Sequence, residues 1–213
     1  MTNSAMRFVP GEMAAIFTIY DAGGNDTLDL SGYKTSSVID LRPGSYSSAG
    51  GADHKLTLAE INANNAAAGL PARSEFLYDV YFEGVEGTNG GLSWIEQTGV
   101  TDFLMHENIG IAYGTIIENA IGGSGNDRII GNSAVNRLTG GAGADSFVFV
   151  NDGSIDTITD FKSGVDKIDL TELGVTRKQV SFSNGTLFVD VKGGADLYIK
   201  VEGDAVILTD ILF

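Results

Sequence analysis

Asp127 and Asp145 are the residues around which chemistry can be built, because each closes a glycine-rich turn of fixed length. Residues 122–148 read GGSGNDRII, GNSAVNRLT and GGAGADSFV, three consecutive nine-residue units. The first and third match the pattern Gly-Gly-x-Gly-x-Asp-x-apolar-x of calcium-binding parallel β-helices. The middle unit is degenerate, with Asn132, Ala134 and Asn136 where Gly, Gly and Asp would stand. All three keep an apolar residue in the strand, as Ile129, Leu138 and Phe147. Each unit reads as a tight turn, where glycine permits positive φ and close backbone approach, followed by a short strand. Two units complete one coil, so Gly122 and Gly140, 18 residues apart, lie on the same edge. Their spacing is about 4.8 Å, the normal distance between strands.

Between two such turns, backbone carbonyls and two aspartates converge on a site of hard oxygen ligands, which suits calcium. Magnesium demands a tighter octahedron and usually keeps several waters. The expected ligands are Gly123, Gly125 and Asp127 from one turn, with Gly140, Ala142 and Asp145 from the other. Only the aspartates contribute side chains. The thin interior of Ile129, Leu138 and Phe147 is too small a core to fold without the metal. The alternative is a pair of ordinary hairpin turns, and two full matches in one unbroken frame argue against it. A second candidate is DAGGNDTLDLSGY at 21–33, where Asp21 and Asp26 flank Gly23 and Gly24. Two carboxylates and the Gly23 carbonyl can share an ion there; a metal-free turn is the competing reading.

The rest of the chain must position these turns. It has 213 residues, no cysteine, three prolines and 29 glycines, about twice the usual glycine share. A hydrophobic content of 43% is enough for a core and excludes a wholly disordered acidic tail. The formal charge of −15 makes nucleic acid an unsuitable partner, since phosphate repels a net anion. No apolar run is long enough to span a membrane. MTNSAMRFVPGEM has no basic region leading into an apolar one, so it does not read as a secretory signal peptide. Without disulfides, metal is the available staple.

Residues 14–50 look like short strands broken by Gly, Asn and Asp turns. Residues 51–110 break that texture and read as an insertion. Thr57 and Glu60 form a capping box, and Gly69 with Pro71 supplies stop signals, which predicts one helix near 58–68. After 149, alternating runs (QVSFS, TLFVDV, DLYIKV, AVILTDILF) predict an antiparallel closing unit over 149–213. The expected fold is therefore mainly β: a parallel β-roll of nonapeptide repeats, flanked by β-strands and an antiparallel C-terminal unit, with one inserted helix.

At these residues the chain resembles a known family. DAGGNDTLDLSGY, IDLRPGSYSSAGG, TIIENAIGGSGND and DTITDFKSGVDKIDL, in that order, resemble the C-terminal half of the serralysins. These are zinc metalloproteases exported by Gram-negative bacteria, whose C-terminal half is a calcium-loaded RTX β-roll. The resemblance implies one calcium at Asp21, Gly23 and Asp26. It implies another held by Gly24 and Asp26, the carbonyl of Ile116 and the carboxylate of Glu118. The family usually has Thr at the Ile116 position, but a carbonyl ligand does not need the hydroxyl. The upstream Arg-x-Gly-x-Thr segment that completes the first site in the family is absent here. Asp210-Ile-Leu-Phe213 resembles the serralysin ending, which implies recognition by a type I (ABC transporter) secretion apparatus. The expected location is extracellular, with a protease domain as a possible covalent neighbour.

Serralysins hold zinc through His-Glu-x-x-His, and the two histidines here, His54 and His106, lie in no such motif. The chain is therefore expected to be non-catalytic. The insertion leaves other chemistry to weigh. Glu75, Asp79, Glu83 and Glu86 lie near Tyr78, Tyr81 and Trp94, and paired carboxylates beside aromatics can hydrolyse glycosides. Acids in so acidic a chain are mostly solvated surface. Phe76, Tyr78, Tyr81, Phe82, Trp94, Phe103 and Met105 read either as a satellite core or as a face that recognises a partner or polysaccharide.

Overall fold

The computed structural model describes residues 5–7, 16–52, 57–67, 69, 71–72, 103–104, 107–150 and 153–213. The chain divides into two compact units. One comprises Met1–Pro10, Ala14–Gly50 and Met105–Phe213, the other Gly11–Met13 and Gly51–Leu104.

The larger unit is a coil of short strands that alternate between two sheets. Strands β1 (Ala5–Arg7), β3 (Thr27–Asp29), β9 (Asn119–Ile121), β11 (Arg137–Thr139), β13 (Ile155–Phe161), β17 (Leu197–Gly203), β16 (Thr186–Val189) and β15 (Val180–Ser183) form one sheet in that order. Strands β18 (Ile211–Leu212), β14 (Lys167–Asp169), β12 (Ser146–Val148), β10 (Arg128–Ile130) and β4 (Val38–Asp40) form the other. A third sheet orders β2 (Phe17–Ile19), β8 (Ile109–Ile111) and β5 (Tyr46–Ser47). β9 pairs β11 in parallel with Asn119 opposite Arg137, and β10 pairs β12 with Arg128 opposite Ser146. Both registers advance the chain by 18 residues, as two nine-residue units per coil require.

Three-residue strands carry one inward side chain each, because successive side chains alternate across a strand. The middle residues Leu28, Ile39, Ala120, Ile129, Leu138, Phe147 and Ile168 are all inward and buried. On the flanks of the second sheet, Arg128 pairs with Asp169 at 2.8 Å and Arg42 with Asp40 at 2.6 Å.

The C-terminal region differs from a purely antiparallel unit. β15 pairs β16 and β16 pairs β17 antiparallel, but β13 pairs β17 in parallel and β14 pairs β18 in parallel. The coil thus continues to the last strand, and the hairpins attach at the side of β17. Alternation reports that one face of a strand is buried; it does not report which way the neighbour runs.

In the smaller unit, β6 (Gly51–Ala52) pairs β7 (Phe103–Leu104) antiparallel. The helix α1 covers Leu58–Ala67. Glu60 N–H donates to Thr57 Oγ1 at 3.3 Å and Thr57 N–H donates back to Glu60 Oε2 at 2.8 Å, closing the capping box. His54, Glu75, Phe76, Tyr78, Asp79, Tyr81, Phe82, Glu83, Glu86, Trp94, Met105 and His106 lie outside the described residues, as does the Phe103 side chain.

Candidate metal centre

The turns that lead into β4, β10, β12 and β14 stack along one edge of the coil. Their last residues are Ser37, Asp127, Asp145 and Asp166, which follow from the registers Val38–Arg128, Arg128–Ser146 and Ser146–Lys167. Asp127, Asp145 and Asp166 are 2%, 2% and 4% exposed, so three carboxylates line a closed edge. Asp127 and Asp166 are each held by backbone donors from two successive turns, and Asp145 by one from the turn above. Asp127 accepts Gly123 N–H on Oδ2 and Ser37 N–H on Oδ1, both at 2.6 Å. Asp145 Oδ1 accepts Asp127 N–H at 2.8 Å. Asp166 accepts Asp145 N–H on Oδ1 at 3.0 Å and Lys162 N–H on Oδ2 at 2.8 Å. Asp160 adds a further carboxylate, bonded to the N–H groups of Gly140 and Gly141 at 2.9 and 2.8 Å.

The glycines are needed because the turns touch. A Cβ on Gly141 would collide with the carbonyl oxygen of Gly123, and one on Gly143 with that of Gly125. Both glycines also hold positive φ, +99° and +127°. A Cβ on Gly122 would meet the Gly140 carbonyl and Asp127 Oδ2. Carbonyls and carboxylates of turns 122–127 and 140–145 therefore crowd one seam.

Crowding shows in the electrostatics. Burial pushes the Asp145 carboxyl up to about 6; the Asp127 N–H opposes this, while the charges of Asp127, Asp166 and Asp160 reinforce it. Burial also raises Asp127, against the donors of Gly123 and Ser37. A seam of carboxylates that resists ionisation is one a cation would relieve. Among the described residues no three His, Cys, Asp or Glu side chains are grouped to hold a metal. A cation here would therefore rely largely on backbone carbonyls, and calcium accepts that donor set. Of the expected set, the carbonyls of Gly123 and Gly125 lie against turn 140–145, the former accepting the Ala142 N–H at 3.0 Å, and the Gly140 carbonyl lies against Gly122.

The opposite edge is different. Asp26 N–H donates to Glu118 Oε2 at 2.8 Å, which joins turn 21–26 to turn 112–118, and Asp21 N–H reaches Thr115 Oγ1 at 3.2 Å. Asp21 Oδ2 accepts Gly23 N–H at 2.7 Å, closing its own turn beside Gly24. Ile116 lies in the facing turn and is 46% exposed. Below these, amides replace carboxylates. Asn136 Oδ1 accepts Asn132 N–H at 2.7 Å, and its Nδ2 donates to Asn132 Oδ1 at 3.0 Å and to the Glu118 carbonyl at 3.3 Å. Asn132 Nδ2 donates to the carbonyls of Leu41 and Ile117 at 3.0 and 2.8 Å. Here side-chain amide N–H groups cross to the carbonyls of neighbouring turns.

One edge brings Asp127 beside Asp145, and the opposite edge brings Asp26 beside Glu118. Sequence reasoning passed over Ser37, Asp156, Asp160 and Asp166. Asp166 carried a signal, since Asp-x-Ile at 166–168 repeats the Asp-x-Phe of 145–147. Asp156 caps the amide edge by accepting Asn136 N–H at 2.8 Å. Asp210 is fully buried and holds the last turn through Ser163 Oγ, Gly164 N–H and Ile207 N–H at 2.8, 3.0 and 3.0 Å.

Comparison with known proteins decides the family. The family described as Peptidase M10 serralysin C terminal matches residues 8–73 and 102–196. This chain belongs to the serralysin C-terminal family. The stretch between the two matched segments falls inside the smaller unit. The chain is 33% identical to serralysin of Proteus mirabilis over 212 residues, covering 82% of this chain and 31% of that protein. It is 30% identical to the metallopeptidase AprA of Pseudomonas marginalis over 241 residues, covering 90% of this chain and 38% of that protein. Serralysin C of Dickeya chrysanthemi is 46% identical over 57 residues, 26% of this chain and 12% of that protein. The chain spans between a tenth and two fifths of the length of these curated relatives, and it matches their C-terminal region, not the catalytic one.

Proposed function

We propose that this chain is a non-catalytic calcium-binding module that folds on extracellular calcium and travels with an exported, serralysin-like metalloprotease. The observation that carries the calcium reading is the 18-residue register, which sets Asp127 and Asp145 on successive turns of one buried seam. Asp127, Asp145 and the carbonyls of Gly123, Gly125, Gly140 and Ala142 would hold the ion. Asp21, Gly23, Gly24, Asp26, Ile116 and Glu118 would serve the upper turns. Bound calcium supplies positive charge between carboxylates that otherwise repel one another.

The chain's own residues then make the switch. Without the cation at neutral pH, Asp127 and Asp145 must be buried as repelling anions or take up protons against the solvent pH, and either course weakens the stacked turns. Where calcium is scarce the roll stays loose enough to be threaded through a transporter. Outside, millimolar calcium exceeds the dissociation constants of about 10⁻⁴–10⁻³ M typical of extracellular modules. Binding free energy then becomes folding free energy. The Asp210–Phe213 segment is the proposed address for a type I secretion apparatus, read by likeness to the serralysin ending. The test is the double variant Asp127→Ala, Asp145→Ala. Loss of calcium-dependent ordering, followed by circular dichroism, supports the assignment; an unchanged calcium response rejects it.

A further inference from the structure

The step above Asp127 repeats the step below it, hydrogen bond for hydrogen bond. Ser124 N–H donates to the Tyr33 carbonyl at 3.0 Å, as Ala142 N–H donates to the Gly123 carbonyl at 3.0 Å. Asn126 N–H donates to Ser36 Oγ at 3.2 Å, as Ala144 N–H donates to Asn126 Oδ1 at 2.8 Å. Ser37 N–H donates to Asp127 Oδ1 at 2.6 Å, as Asp127 N–H donates to Asp145 Oδ1 at 2.8 Å. Gly123 and Gly125 back onto the carbonyls of Tyr33 and Thr35, as Gly141 and Gly143 back onto those of Gly123 and Gly125. The turn 31–37 is therefore a third member of the stack, although SGYKTSS has neither the second glycine nor the aspartate.

One position differs, and it is the one that supplies the side-chain ligand. Ser37 stands where Asp127 and Asp145 stand in their turns, and it is 3% exposed. Its hydroxyl lies close enough to Asp127 to help hold that carboxyl's pKa down, yet it completes no hydrogen bond. Thr35 Oγ1, two residues earlier in the turn, is also buried and unpartnered. Buried hydroxyls are ordinarily satisfied, so two orphans in one seam point to a missing partner.

We infer that a second calcium site lies between turns 31–37 and 122–127, held by the Ser37 hydroxyl, the Asp127 carboxylate and the carbonyls of Tyr33, Thr35, Gly122 and Ser124. This rests on the calcium reading of the step below, with which it shares Asp127. It carries one carboxylate instead of two, and calcium affinity follows ligand charge. The site therefore fills after the lower one, as a weak phase of binding.

The test is calcium titration by calorimetry, with bound calcium per chain counted by equilibrium dialysis. Ser37→Ala is expected to weaken the second phase by about tenfold or abolish it, while the first phase stays in place. Ser37→Asp is expected to tighten the second phase by about tenfold or more, because it adds the missing carboxylate. Asp145→Asn is expected to remove the first phase instead. If Ser37→Ala and Ser37→Asp both leave calcium count and affinity unchanged, the orphan hydroxyls face water and the site is refuted. A wild-type chain that binds no calcium refutes the lower site as well, so the two failures are told apart.

Discussion

The backbone N–H of Asp127 donates to Oδ1 of Asp145 at 2.8 Å, and the two residues sit at the same position of turns one coil apart. A carboxylate that would serve a metal thus also serves the fold as an acceptor for the turn above. The two roles separate by substitution. Asp145→Asn keeps an acceptor oxygen and removes the charge. It should leave the metal-free roll as stable as before or more so, and abolish the stabilisation by calcium. Asp145→Ala strands the buried Asp127 N–H, which costs about 1–3 kcal/mol even in chelator. Denaturant unfolding of both variants, with and without calcium, checks this.

Glycine positions should divide by whether a neighbouring turn lies behind them. Gly141→Ala meets both a positive φ and the Gly123 carbonyl, whereas Gly164, at φ +79°, has nothing within 4 Å of the added methyl. Gly164→Ala should cost only the backbone strain, about 1–2 kcal/mol. Gly141→Ala should cost more and also impair the calcium response, because the seam must open. Equal losses for the two variants would contradict close stacking.

The amide edge should hold without metal. Asn136 bonds directly to Asn132, Glu118 and Asp156. Asn136→Ala removes the side-chain bonds and leaves the Asn132 N–H unpaired, a loss of about 1–3 kcal/mol. That loss should be the same in chelator and in calcium. A loss seen only in calcium would mean that this edge binds the ion too.

Asp145 gives the pH dependence a sign. Its folded pKa, about 6, lies above the ordinary 3.8, so the metal-free folded state binds more protons than the unfolded chain between those values. Stability in chelator should therefore be greatest below pH 4 as far as this group is concerned, and fall as pH rises towards and through 6. Asp127 is raised too and acts in the same direction. Asp169 and Asp210 are lowered and so contribute their change below the ordinary aspartate range. Calcium should reverse the slope, because it competes with those protons. The far-UV β signal from pH 4 to 8, with chelator and with calcium, measures both limbs.

The legible parts of this chain are those whose demand is local. A turn that needs glycine where neighbouring backbone lies against it, and an aspartate at its end, writes all of that into nine residues, so 122–127 and 140–145 stand out. Ser37 does not stand out, because SGYKTSS enters the stack only through the pairing of β4 with β10, and pairing is not local. Asp166 was obscured by spacing: β12 and β14 pair 21 residues apart, not 18, so no fixed frame reaches it. The parallel course of β13 and β18 was hidden for the same reason, since alternation shows the buried face and not the neighbour's direction. The amide edge looked like a decayed repeat, whereas Asn132 and Asn136 complete their own network.

Far-UV circular dichroism during a calcium titration from chelator to about 10 mM, with magnesium as control, tests the central claim most directly. The account predicts a cooperative gain of β signal at about millimolar calcium, absent with magnesium and absent in the Asp127→Ala, Asp145→Ala double variant. A chain with its full β signal in chelator, unmoved by calcium, would contradict it and leave the stacked turns as metal-independent scaffold.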